Sequence, residues 1–234
     1  MIKLETFAVC FNEERLMPYF LKHYLQYGSV TIFDNYSTDN TVKIAEESGA
    51  IVYQFDSEGQ FNEAILTHIR NICWKESKAD WVIVTDIDEF VYHKNLPKVL
   101  ESIKGTVILP RMFNMYSDAF PTTKGQIYDE VKYGVEFNSK PCLFKPHEII
   151  EMNFEPGCHY ATPEGNYKLN FTSPIINLHF KNLSIDYVIE RNAFLNSRQA
   201  EINKENNWNW HLSVTKEETT KNFEEAKRRL IKVI

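Results

Sequence analysis

The chain of 234 residues reads as an α/β protein. A mostly parallel sheet flanked by helices is expected first, then a loop-rich, partly antiparallel half. Three observations predict this. Up to Pro110, short apolar runs alternate with segments of helical period, the rhythm of parallel strands joined by right-handed crossovers. One of these runs, residues 81–84 (W-V-I-V), has no polar interruption, as in a strand buried on both faces. It stops at Asp86, Asp88 and Glu89. Beyond Pro110 and up to about Pro174, the sequence turns aromatic and proline-dotted, with little helical period.

Taken in order, residues 6–11 (T-F-A-V-C-F) read as the first strand. Asn12 is placed to cap the helix that follows, with Glu13 and Glu14 near its positive end. Leu16, Phe20, His23, Tyr24 and Tyr27 recur at helical spacing. Pro18 falls in the opening turns, and Gly28 suits the position just past the helix. Residues 30–33 form a second strand. The run D-N-Y-S-T-D-N-T then opens a helix over 42–48, closed by Gly49. A third strand covers 51–55, and Phe61, Ile65, Ile69 and Cys73 mark a longer helix before the strand at 81. Residues 96–103 read as a helix ended by Gly105, and 106–109 as a fifth strand. Helices return at 186–195 and 217–231. The last carries Glu217–Lys221, Glu224–Arg228 and Glu225–Arg229 at i,i+4 spacing. No linker or repeat divides the chain, so one domain over 1–234 is expected, changing character between 1–113 and 114–234.

Hydrophobic residues make up 43% and aromatic ones 14%, enough for a substantial core. The net charge of −6 argues against general nucleic-acid affinity, which needs a basic patch. Cys10, Cys73, Cys142 and Cys158 form no C-x-x-C pair, which disfavours zinc and redox motifs. A reduced, cytoplasmic setting is expected. No apolar leader precedes Asn12, and no run approaches the ~18 apolar residues of a membrane span. Lys227, Arg228, Arg229 and Lys232 beside Leu230, Ile231 and Val233 read as a solvated amphipathic helix. Peripheral contact with the inner face of a membrane is the alternative.

Asp86 and Asp88 are two residues apart, so an extended strand would turn both to one face. Carboxylates held together repel unless a cation lies between them. Carboxyl ends of parallel strands are where open α/β sheets bind ligands. Mn²⁺ or Mg²⁺ carrying a phosphate is the economical occupant. Neither G-x-G-x-x-G nor G-x-x-x-x-G-K occurs, and no G-x-S-x-G elbow is present.

Four motifs appear in order at strand ends or on the third helix: C-F-N-E-E, F-D-N-Y-S-T-D-N-T, Arg70-Asn71 and V-T-D-I-D-E-F. With them the chain resembles family 2-type GT-A glycosyltransferases. Within these it resembles the subgroup with a D-x-D-E-F motif and a later histidine, here in L-H-F-K-N-L-S around His179. The resemblance covers residues 4–113 well. Beyond them it touches only residues 140–146, 158–160 and His179. It implies a GT-A (Rossmann-like) fold with a nucleotide-sugar-binding half over 1–113 and an acceptor half over 114–234. The implied activity is metal-dependent transfer of a hexose from a UDP-sugar to an acceptor hydroxyl, with inversion. Asn12 and Glu13 would line the nucleotide pocket, Asp34 would accept a hydrogen bond from uracil, and Arg70 would sit near the base or diphosphate. Asp86 would contact ribose or the metal shell, and Asp88 and His179 would ligate the metal. Asp118 and Glu164 are the candidate bases, because both lie in the half that should face the acceptor. The segment R-M-F-N-M-Y-S-D-A-F departs from the tryptophan- and glycine-containing stretch of the family, which leaves the acceptor open between a glycan and another hydroxyl compound.

The same residues admit plainer readings: Asp34 and Asn35 as a strand-ending turn, Arg70 as a solvated helix residue, His179 as an interior histidine. Two other functions stay open. One is a sugar-nucleotide-binding module without catalysis. The other is a phosphatase of the haloacid dehalogenase type, which wants its D-x-D on the first strand rather than the fourth.

Overall fold

The computed structural model describes residues 2–234. Its first layer is a seven-stranded sheet. Four parallel strands form its centre and one edge: β1 (Leu4–Cys10), β2 (Gly28–Asp34), β3 (Ile51–Gln54) and β4 (Trp81–Asp86), in spatial order β4-β1-β2-β3. Helices α1 (Met17–Tyr24), α2 (Thr41–Glu47) and α3 (Glu63–Ile72) make the crossovers. Asn12 is not a cap: its φ is 53°, and α1 begins after Leu16 with Pro18 in its first turn. The short side chain of asparagine tolerates the left-handed region, and here the chain uses that freedom to turn off β1. Gly28 opens β2 instead of closing α1. A Cβ there would meet the Leu4 carbonyl oxygen at 1.8 Å, so close strand pairing requires the glycine.

The stretch 81–92 holds two strands, not one. After β4 the chain turns at Ile87 and Asp88, and β5 (Glu89–Tyr92) joins a different sheet. Helix α4 (Leu96–Ser102) then leads to β6 (Val107–Ile108), shorter than the predicted fifth strand. After β7 (Arg111–Tyr116), α5 (Ile127–Glu130) and β8 (Tyr133–Phe137), strand β9 (Leu143–Phe144) inserts antiparallel between β4 and β6. A small ribbon of β10 (Ile149–Glu151) and β11 (Glu164–Gly165) follows. Next, β12 (Leu169–Asn170) adds an edge beside β6, and β13 (Ile176–Asn182) runs through the second large sheet. That sheet has the order β14-β8-β7-β13-β5 and mixes parallel and antiparallel pairs.

Helices α6 (Ile185–Ser197), α7 (Glu201–Glu205) and α8 (Lys216–Lys227) precede β14 (Ile231–Lys232). The predicted helix over 217–231 therefore ends four residues early, because Ile231 and Lys232 pair with β8. Its three i,i+4 pairs are not among the ion pairs of the described residues. Lys227 turns to Glu224 and Asp118 instead.

Strand β4 shows why an unbroken apolar run was needed. Trp81 and Ile83 enter the core between the two large sheets, with Phe20, Phe90, Phe113 and Leu178. Val82 and Val84 enter a second core on the opposite face, with Phe7, Trp74 and Phe144. All four cysteines are free, three of them buried. No helix among the described residues is long and apolar enough to cross a membrane.

Candidate active site

A cavity of about 820 Å³ lies beyond the carboxyl ends of β1 and β4, between them and the inner face of the second sheet. Ion pairs from both sheets fill its floor. On one side, Arg70 on α3 donates to Glu63 Oε1 at 3.1 Å and to Asp86 Oδ1 at 2.6 Å. Lys140 reaches Asp86 Oδ2 at 3.1 Å and Glu89 Oε1 at 2.5 Å. On the other side, Arg191 from α6 lies 3.2 Å from Asp88 Oδ2 and 3.4 Å from Glu13 Oε1, and His179 Nε2 lies 3.4 Å from Asp88 Oδ2. Asp86 and Asp88 both face the cavity, yet the turn at Ile87 assigns them to separate chains of charge.

Burial alone would push these carboxyls up. For Asp86 the guanidinium of Arg70 and the ammonium of Lys140 outweigh it. For Asp88 the imidazole of His179 and Arg191 do. Both carboxyls are held well below the usual range. Burial dominates at Glu13 despite Arg191, and its carboxyl is raised to about 7. Lys140 and Arg191 are buried too, but the carboxylates around them hold both cations firmly charged.

Asp88, Glu89 and His179 bring one ligand atom each within 4.8 Å of one another, and all three are buried. His179 Nδ1 has no hydrogen-bond partner. A carboxylate and an imidazole suit Mn²⁺ or Mg²⁺; Glu89 already accepts from Lys140, Thr85 and Asn177, so Asp88 and His179 are the pair that could hold such an ion. Asp86 stands outside this set, since each of its oxygens faces a cation. The predicted metal trio thus divides: Asp88 and His179 meet, and Asp86 belongs to the Arg70–Lys140 chain.

Other expected residues lie elsewhere. Asp34 is fully buried and turned into its own loop, accepting from the Ser37 amide at 2.9 Å and from Ser37 Oγ at 2.5 Å. The neighbouring Asn35 lines the cavity instead, bonded to Ser57. Asn12 holds the Thr38 amide at 2.7 Å and lines a smaller pocket beside Arg15 and Tyr187. Asp118 is exposed and paired with Lys227 at 2.5 Å, while Glu164 is exposed on β11 and accepts from Asn153 at 3.0 Å. Neither candidate base lines the cavity. Each sits on an outer turn or edge, where a nearby surface group satisfies it.

Several cavity residues went unnoticed in sequence: Glu63, Asn114, Lys181, Arg191 and Trp210. Glu63 had a readable signal, lying seven residues before Arg70 and so two turns away on the same helix face. Arg191 had none, as one cation in a polar helix resembles any solvated residue.

A mostly parallel sheet, with buried carboxylates and fixed cations at its carboxyl end, places charged groups where open α/β sheets bind their ligands. The Glycosyl transferase family 2 profile matches residues 7–150, and the chain belongs to that family. Its fold is that of the GT-A glycosyltransferases. The crystal structure of S. aureus TarS 1-349 aligns with a TM-score of 0.50 at 15% identity, covering 84% of this chain and 65% of that one. The same protein in complex with UDP-GlcNAc gives 0.49 at 15% identity, over 84% of this chain and 66% of that one. Glucosyl-3-phosphoglycerate synthase from Mycobacterium tuberculosis, in complex with Mn²⁺, UDP and glucosyl-3-phosphoglycerate, gives 0.35 at 16%, over 48% and 44%. This chain thus spans about two thirds of the TarS structure's length. No curated protein matches it in sequence.

Proposed function

We propose that the cavity is the active site of a glycosyltransferase that moves a hexose from a UDP-sugar to an acceptor hydroxyl with inversion, using a divalent cation held by Asp88 and His179. One observation carries the reading: buried carboxylates stand against fixed cations at the ends of parallel strands, in a cavity within the usual range for small-molecule sites. When bound, the cation would supply Lewis acidity to the departing diphosphate.

The chain's own residues prepare that space. Arg70 and Lys140 pin Asp86, which presents a fixed carboxylate to the ribose hydroxyls. Arg191 already balances Asp88 and Glu13, and on donor binding it turns to the phosphate oxygens, where a guanidinium binds well. Asp34 acts through Ser37 to fix the loop after β2. A single in-line displacement, usual for the family, gives inversion.

Melting curves with UDP and Mn²⁺ test the proposal. At about 100-fold excess over Kd, UDP with Mn²⁺ should raise the Tm by ~5 °C, and UDP alone by much less. Asp88→Asn, which keeps the side-chain shape, should lose the metal-dependent part. Absence of a shift with any nucleoside diphosphate overturns the reading. Because neither Asp118 nor Glu164 reaches the cavity, a binding module without catalysis is the second reading. Slow hydrolysis of a UDP-sugar, dependent on added metal, would exclude it.

A further inference from the structure

On the reading just given, the donor occupies the end of the cavity at β1 and β4. We propose that the side chamber at the other end, between β13, α6 and α8, is the acceptor site and takes an acceptor carrying an anionic group, phosphate or carboxylate, beside its hydroxyls. The chamber has a volume of about 180 Å³, and Tyr116, Lys181, Asn182 and Trp210 line both it and the main cavity. Its far walls, Val188, Thr219 and Phe223, are not shared.

Lys181 supplies the first argument. Arg70, Lys140 and Arg191 each pair with two carboxylates, and Arg198 lies on the Phe11 ring at 3.4 Å while donating to the Gly59 carbonyl. Lys181 is half-buried and has no carboxylate within ion-pair distance among the described residues, Asp88 and Glu89 acting on it only from farther away. A half-buried ammonium without a close counter-charge can take an anion brought by a ligand. Arg191 lines the chamber as well as the main cavity, but it is paired with Asp88, beside which the donor's diphosphate belongs, so Lys181 is the chamber cation left to the acceptor.

Orphaned amides supply the second argument. Asn182, which lines the chamber, is 6% exposed and its Nδ2 lacks any partner among the described residues; Asn114, 8% exposed and with Oδ1 likewise unpartnered, lines only the adjoining main cavity. Native structures seldom leave such groups unsatisfied, and ligand hydroxyls would complete them. The pairing of β13 with β7 shifts register between His179 and Asn182. Such a bulge lets the adjacent Lys181 and Asn182 both line the chamber. Trp210, 63% exposed, offers a broad apolar ring at the rim, suited to the carbon face of a sugar or polyol.

The test measures binding of glucose 6-phosphate, glucuronate and glucose to protein saturated with UDP and Mn²⁺, so that the donor end is filled. At least one of the two anionic probes should bind about tenfold or more tighter than glucose, and their ranking names the anion. Lys181→Met should abolish the preference and leave UDP affinity within about twofold. Trp210→Ala should weaken all three probes. Equal binding of charged and neutral probes overturns the inference, as does a loss of UDP affinity in Lys181→Met that matches the loss of probe affinity. If UDP itself does not bind, the donor reading fails instead, and the two failures are distinguished.

Discussion

His23 sits on the buried face of α1, with Nε2 3.0 Å from the Val91 carbonyl and Nδ1 3.3 Å from the Tyr128 hydroxyl. Burial, only partly offset by the Val91 carbonyl, lowers its pKa to about 4. Between that value and the ordinary value near 6.5, the unfolded chain binds the proton more tightly. Stability is therefore fully present above about pH 6.5 and falls as pH drops through this window. His23→Gln keeps a donor without the titration. It should shrink the difference in unfolding free energy between pH 7 and pH 5 by about 2 kcal/mol, as read from denaturant melts. An unchanged difference would contradict a buried neutral histidine. At this scale the sequence was informative about which residues come together at strand ends: Asp88 meets His179 across 91 positions of chain. Asp34, expected at the uracil base, turns its carboxylate to Ser37 three residues on. Lys140 was touched only by the resemblance over 140–146, and Arg191 carried no pattern that separates a site cation from a solvated one.

Helix α3 ties the rim of the cavity together through its first residue. Glu63 is 3% exposed and accepts from the Gly157 amide at 2.8 Å, from Arg70 at 3.1 Å and from Asn209 Nδ2 at 3.3 Å. The loops holding Gly157 and Asn209 both contain left-handed residues, Cys158 at φ 56° and Asn209 at φ 58°, so neither is a default turn. Glu63→Ala should accelerate amide exchange in residues 155–159 and 206–210 while β1 and β4 stay protected. It should also destabilise the protein by roughly 3 kcal/mol, because Arg70 loses one of its two buried partners. Uniform acceleration across both sheets would argue against such a local role. A second change at this scale is Gly28→Ala. Its methyl would collide with backbone, and more than 1 kcal/mol of stability should be lost in urea melts. Long elements were legible, since 3.6-residue and unbroken apolar patterns need length to register. The two-residue strands β6, β9 and β12 carry no period, and β9 reaches its place only through tertiary pairing.

The two large sheets share one core, with Trp81 and Ile83 of β4 packed among Phe90, Phe113 and Leu178 of the other sheet. Unfolding should accordingly be one cooperative transition, with far-UV circular dichroism and tryptophan fluorescence coincident in denaturant; separated midpoints would show the sheets to be independent. The alternation of strands and helices disclosed the first sheet. The second sheet was foreseen only as irregular and partly antiparallel, because its strands are scattered from residue 89 to 232 and their neighbours in space are distant in sequence. Between Asp86 and Glu89 only Ile87 and Asp88 bridge the sheets. An insertion there would flip every side chain of β5 to its other face, so this end of the molecule cannot drift in length. The loops at 155–159 and 206–210 share the Glu63 carboxylate as a common anchor and bridge no pair of sheets. A chain built on this frame can therefore change length in its outer loops more readily than in the turn that joins its two sheets.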